Sequence, residues 1–259
     1  MGHQDLPYIP RTRPWQHVIA LIGGGAQMEA IAAATSRAAE LSMIEASSDP
    51  TVQRAFFLLA QIPQAAKSPS LSGALRAIGM QVGNRPTLAE IASSMMTAID
   101  SFSAQHGPRT DYGELAQLSA VESLHAMAAR EMSDMFDNEP NTVAKALGEL
   151  AKEKQFGLLA RDFFARLTRR HLNFYLHREL SAHVGEGRRF TSMHQHVEFE
   201  NALELHCREA ARIVQDFAGE WYSKHLFEGG IDIQKAGRFV HVAAKKIREE
   251  LVQRGVSVA

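Results

Sequence analysis

Long runs without glycine or proline, dense in alanine and opened by helix-capping side chains, leave this chain few alternatives to α-helix. Asp49-Pro50 puts a carboxylate that can accept backbone N–H groups before a proline whose fixed φ suits the first helical position. Thr87-Leu88-Ala89-Glu90 has the spacing of a capping box, in which hydroxyl and carboxylate satisfy each other's free amides. Asp111-Tyr112-Gly113-Glu114 has a similar spacing, and Ser70, Asn141 and Asp232 are weaker starts. No segment alternates apolar and polar residues with β-branched enrichment, so no sheet is expected.

The spacing predicts helices near 15–22, 27–47, 51–61, 71–79, 88–104, 113–136, 142–153, 157–183, 194–224 and 233–253. The expected fold is all-α, a multi-helix bundle or helical array of about nine or ten helices. Residues 1–14, with Pro7, Pro10 and Pro14, read as an extended arm. The connection around His106-Gly107-Pro108 divides a helical lobe over 15–110 from a basic, histidine-rich lobe over 111–259, with one continuous domain as the alternative. In the 113–136 helix, Leu118, Val121, His125, Ala128, Met132 and Met135 recur at helical spacing and are expected to face the core. Phe239, Val242, Ala243, Ile247 and Leu251 do the same in the last helix.

Composition narrows the function classes. The 259 residues are 45% hydrophobic and 22% charged, which excludes a wholly disordered chain. One cysteine, Cys207, excludes an internal disulfide framework and a multi-cysteine metal site. The start of the chain lacks a basic stretch leading into an apolar core, and no apolar run approaches the roughly 20 residues of a membrane span. A cytoplasmic protein is the expectation, with no membrane partner.

The net charge of −1 hides two unlike halves. Residues 1–150 carry 10 Lys+Arg against 15 Asp+Glu, whereas residues 151–259 carry 18 against 14 and eight of the 12 histidines. The densest basic run is Arg161, Arg166, Arg169, Arg170 and Arg178, followed by Arg188 and Arg189 and interleaved with Phe163, Phe164, Phe174 and Tyr175. Arginine forks neutralise phosphates and aromatic rings stack on bases, so these arginines form a candidate nucleic-acid or other anion-binding surface. The alternative is an amphipathic helix whose rings are core and whose arginines pair with the acidic half.

Other motifs carry less. His194, His196, Glu200 and His206 are the richest set of metal-ligand types, but in a helix His194 and His196 point about 200° apart. Glu122-Ser123-Leu124-His125 has the Glu-x-x-His spacing of dimetal bundles, without the second such unit those bundles need. His125, on the expected apolar stripe, reads as a core histidine. Gly23-Gly24-Gly25 between an apolar run and a helix outlines a dinucleotide loop, but no parallel-sheet pattern follows, and a glycine break between two helices is simpler. Trp221 and Tyr222 near the end of a long helix suit either core anchoring or partner contact.

With no convergent catalytic motif, the expectation is a non-enzymatic interaction or adapter subunit of a larger cytoplasmic assembly, with no cofactor. A protein partner or a second copy is expected, and nucleic acid is a candidate at the basic helix. The alternatives are a metal-dependent enzyme using the His171–His206 region, or a helical regulator that senses a small ligand in an enclosed pocket.

Overall fold

The computed structural model describes residues 9–132 and 140–256. These residues form twelve α-helices and no strand. In order they are α1 (Arg13–Gly23), α2 (Met28–Ala38), α3 (Glu40–Ser48), α4 (Pro50–Ala65), α5 (Leu71–Ala77), α6 (Leu88–His106), α7 (Asp111–Glu131), α8 (Pro140–Glu149), α9 (Glu153–Ala182), α10 (Met193–Ala210), α11 (Arg212–Phe227) and α12 (Ile233–Val256). The all-α expectation holds, with more helices than the predicted nine or ten. The surplus comes from two expected helices that each break in two. One divides at Ala39, the other at Ala211, and neither break has a glycine or proline. Both alanines are buried, so packing against other helices sets the breaks rather than local propensity.

The helix starts follow the capping side chains. Asp49 Oδ1 accepts from the backbone N–H groups of Thr51 and Val52 at 2.7 and 3.1 Å. Its Oδ2 accepts from the Thr110 hydroxyl, and Thr110 Oγ1 in turn accepts from Gly113 N–H. One pair of side chains thus caps α4 and α7 and ties the residues on either side of the expected lobe boundary. Thr87 caps α6 through Glu90 N–H, but the Glu90 carboxylate turns to Gly83 N–H instead of closing a capping box. Ser70, Ser192 and Asp232 cap α5, α10 and α12 in the same way. Helix α4 runs past Pro63 to Ala65, beyond the expected end at residue 61.

The 30-residue α9, about 45 Å long, is the central strut. Helices α7, α10 and α11 pack along it, while α12 lies across α2, α3 and α4. The buried apolar residues form one cluster, from Trp15 in α1 to Leu251 in α12. At its centre Phe56 of α4 meets Phe156, Phe163 and Phe164 of α9, Trp221 of α11 and Phe239 of α12.

Two stripes turn differently from expectation. On α7 the buried side is Gly113, Ala116, Gln117, Ala120, Ser123, Leu124, Met127 and Ala128. His125 is exposed, so it is not a core histidine, and Leu118 and Val121 are half-buried. The small residues Ala116 and Ala120 let α7 approach its neighbours, a signal that a count of large apolar residues overlooks. Met135 lies outside the described residues. On α12, Val242 is 44% exposed, while Phe239, Ala243, Ile247 and Leu251 are buried as expected.

Helices α9 and α11 touch through glycine. A Cβ at Gly219 would lie 2.5 Å from the Glu153 carbonyl oxygen, and one at Gly157 would lie 3.1 Å from that of Gln215. The Phe156 and Tyr222 rings stack 3.7 Å apart beside this crossing. Gly219→Ala should therefore push two backbones apart and cost about 1–3 kcal/mol. Urea unfolding would measure it, and an unchanged midpoint would show that the crossing has room.

Candidate functional site

The inward side of α9 carries Phe156, Leu159, Ala160, Phe163, Phe164 and Leu172, all buried. The rings expected to alternate with the arginines as stacking platforms therefore face the core; Tyr175 is buried as well, and Phe174 is half-buried. The outward side holds Asp162, Arg166 and Arg169, flanked by Arg161 and Arg170. It runs as a trough between α7 and α10. Arg166 donates to Asp162 at 2.7 Å and to Glu122 of α7 at 2.9 Å. Arg170 donates to the other Glu122 oxygen at 2.6 Å and to Ser119 at 3.1 Å. Asp162 also faces Arg208 of α10 at 3.6 Å. Arg161 and Arg212 share Glu209, and Arg169 pairs with Glu204.

Each of Glu122, Asp162 and Glu209 thus serves two guanidinium groups. Burial opposes ionisation of Glu122, but the hydrogen bond and charge of Arg170, with the charge of Arg166, hold its carboxyl below the ordinary value. Among the described residues the arginines outnumber the carboxylates they touch, which leaves positive charge after internal pairing. At one end the trough opens into a hollow of about 350 Å³. Met127, Leu158, Ala165 and Leu205 form its apolar floor, and Arg130, Arg161 and Arg208 stand on its rim with Asp162 and Glu209. Leu205 is 61% exposed, and Arg130 donates to the Met127 sulfur at 3.6 Å.

The remaining arginines of the expected anion surface lie elsewhere. Arg178 sits about two turns beyond Arg170 on α9. Arg188 donates to the Ala182 carbonyl at the end of α9. Arg189 donates to the Ile22 and Ala26 carbonyls at 3.2 and 2.6 Å, and its guanidinium lies over the Phe190 and Phe199 rings. These two cations close helix C-termini, where free carbonyls and the helix dipole favour positive charge. The Arg189 contact also fixes the loop after Gly23-Gly24-Gly25. That loop follows a helix instead of a strand, so the dinucleotide-loop outline does not form.

The histidines are dispersed. His194 is exposed and lies 3.5 Å from Glu198. His196 is buried on the other side of α10, with Nε2 3.9 Å from Glu200, which also lies 3.6 Å from His177. His206 is buried with no hydrogen-bond partner for Nε2 among the described residues, and burial pushes its pKa down. Among the described residues, no three His, Cys, Asp or Glu side chains are placed to hold a metal ion. Helical geometry separates His194 from His196, and Glu122 of the Glu-x-x-His unit is engaged by arginines. Cys207 is buried, and burial pushes its thiol up to about 12. Trp221 packs against both Phe56 and Phe239, while the Tyr222 hydroxyl donates to the Ala60 carbonyl at 3.1 Å and accepts from Gln64 at 2.9 Å.

A second polar cluster escaped the sequence reading. Tyr112 and Tyr175 share a hydroxyl hydrogen bond of 2.9 Å, with Trp15 against the Tyr175 ring. His171 stacks on Tyr112 and places Nε2 3.4 Å from the Ser42 hydroxyl. Burial lowers His171 from 6.5 to about 4, so it is neutral at physiological pH. Burial and the bond from Tyr175 push the Tyr112 phenol up. The Ser42 hydroxyl donates to the Ala39 carbonyl at 2.8 Å, so its proton is not directed at His171. The sequence signal was slight: His171 and Tyr175 lie one turn apart, but Ser42 is 129 residues from His171.

Comparison with protein-family models, with curated proteins and with solved structures finds no match. Among the described residues no helix is long and apolar enough to cross a membrane.

Proposed function

We propose that this chain is a non-enzymatic interaction subunit of a larger cytoplasmic assembly, and that it docks an acidic protein segment in the arginine trough of α9. The observation that carries this reading is the 350 Å³ hollow, where an exposed leucine and other apolar side chains lie among arginines that, among the described residues, exceed their carboxylates. Such a surface suits an amphipathic segment with an apolar stripe and acidic flanks, because desolvated apolar contact gives affinity and charge complementarity gives register. Nucleic acid fits less well, since the α9 rings face the core and most forks are already engaged by carboxylates.

Fluorescence anisotropy with defined probes tests this. The probes are a labelled acidic amphipathic peptide, the same peptide with Gln and Asn for its acids, and a single-stranded RNA. The acidic peptide should bind best and weaken as salt rises past roughly 0.1 M. The triple variant Arg130→Gln, Arg161→Gln, Arg208→Gln should bind it about tenfold more weakly while staying folded. Equal binding of the neutral peptide, tighter binding of RNA, or no peptide binding at low salt would overturn the proposal.

A further inference from the structure

Helix α3 rests on α12 through Met43 and Ser47 and leaves Leu41 and Ile44 exposed. Beneath it lies a cavity of about 40 Å³, walled by Val52 of α4, Phe164, Leu167 and Thr168 of α9, and Val240 of α12. Met43, Ser47 and Ala244 line this cavity and also a wider hollow of about 170 Å³ that reaches the surface. The inner space is apolar except for a few hydroxyls and the neutral His171. Thr168 is 5% exposed and lines the inner space.

The outer hollow is different. Lys245 and Arg248 stand on its rim with Glu40 and His241. Arg248 pairs with Glu40 at 2.6 Å, and His241 Nδ1 lies 3.0 Å from the Ser47 hydroxyl. The exposed Lys245 ammonium has no carboxylate partner among the described residues, so the rim carries surplus positive charge. The two volumes together fall below the roughly 300 Å³ at which drug-sized sites begin, which favours a short molecule over a long-chain lipid.

We propose that the gap between α3 and α12 is a binding site for a small amphipathic carboxylate, with its alkyl tail against Thr168, Phe164 and Val240 and its carboxylate at Lys245. This site is separate from the arginine trough and does not depend on the docking role.

Isothermal titration of the full chain with hexanoate, hexanol and hexylamine tests it. Hexanoate should bind about tenfold tighter than hexylamine, because the rim attracts one head group and repels the other. Lys245→Gln should weaken hexanoate about threefold and leave hexanol unchanged. Ala244→Leu should fill the junction of the two spaces and abolish hexanoate binding; if that variant does not fold, Thr168→Leu fills the inner cavity from the opposite wall. No heat with hexanoate, equal affinity for hexylamine, or full hexanoate affinity in the folded cavity-filled variant would overturn the assignment.

Discussion

Phe56→Ala should lower the stability of the chain by about 3–5 kcal/mol, the range for a large aromatic truncated in a core. The ring is fully buried. It stacks parallel to Phe239 at 5.0 Å and lies 5.5–6.4 Å from the rings of Phe164, Phe163, Trp221 and Phe156. Its loss opens one void that α4, α9, α11 and α12 all border, and no single helix can move to fill it without losing contacts elsewhere. Thermal unfolding should fall by roughly 6–20 °C for a chain of this size. A midpoint within 2 °C of the parent, about what a surface substitution gives, would mean that the four helices are not joined at this ring.

Acidification should destabilise the fold through His171. In the folded chain burial holds its pKa near 4, against an ordinary 6.5. Between those values the unfolded chain binds more protons, so stability falls as pH falls. The contribution is complete above pH 6.5, is lost progressively down to pH 4 and changes little below it, when both states carry the proton. The shift corresponds to about 3 kcal/mol. His206, also lowered by burial, acts in the same direction. Carboxylates titrate over part of the same range, so the comparison is between the parent and His171→Leu. Urea unfolding at about pH 7 and about pH 4 should show a loss in the parent that is smaller in the variant by about 3 kcal/mol. Equal losses in the two proteins would show that His171 accepts a proton without leaving its pocket.

The helical class was legible because it rests on local chemistry. The caps at Asp49, Ser70, Thr87 and Asp232 are short-range signals, and each starts a helix where its side chain predicts. The breaks at Ala39 and Ala211 were not legible, because alanine favours helix and only tertiary packing ends it there. The facing of α7 was misread for a related reason. Its contact side is built from Gly113, Ala116, Ala120 and Ser123, residues chosen for close approach, while hydrophobic patterning follows bulk.

Of the site, the sequence showed the arginines but not their counter-ions. Glu122, Glu204 and Glu209 come from α7 and α10, and Glu122 is 44 residues before Arg166. The same distance in sequence concealed the α3 cavity, whose walls come from five helices between Met43 and Ala244. A histidine-rich segment suggested metal, yet the helix that holds His194 and His196 turns them to opposite sides, one exposed and one buried. Composition marks which residue types are available; helical phase decides which of them meet.

Docking of an acidic protein segment in the α9 trough can be measured directly. A photo-crosslinking residue placed at Leu205, in the trough, and a control placed at the 92% exposed Phe227 measure it in the cell from which the chain comes. Docking in the trough should give a protein adduct at Leu205 that is absent at Phe227, with the crosslinked peptide rich in Asp and Glu and the adduct lost in the Arg130, Arg161 and Arg208 triple variant. Adducts of equal yield at both positions, an adduct to nucleic acid, or no adduct at Leu205 would contradict it.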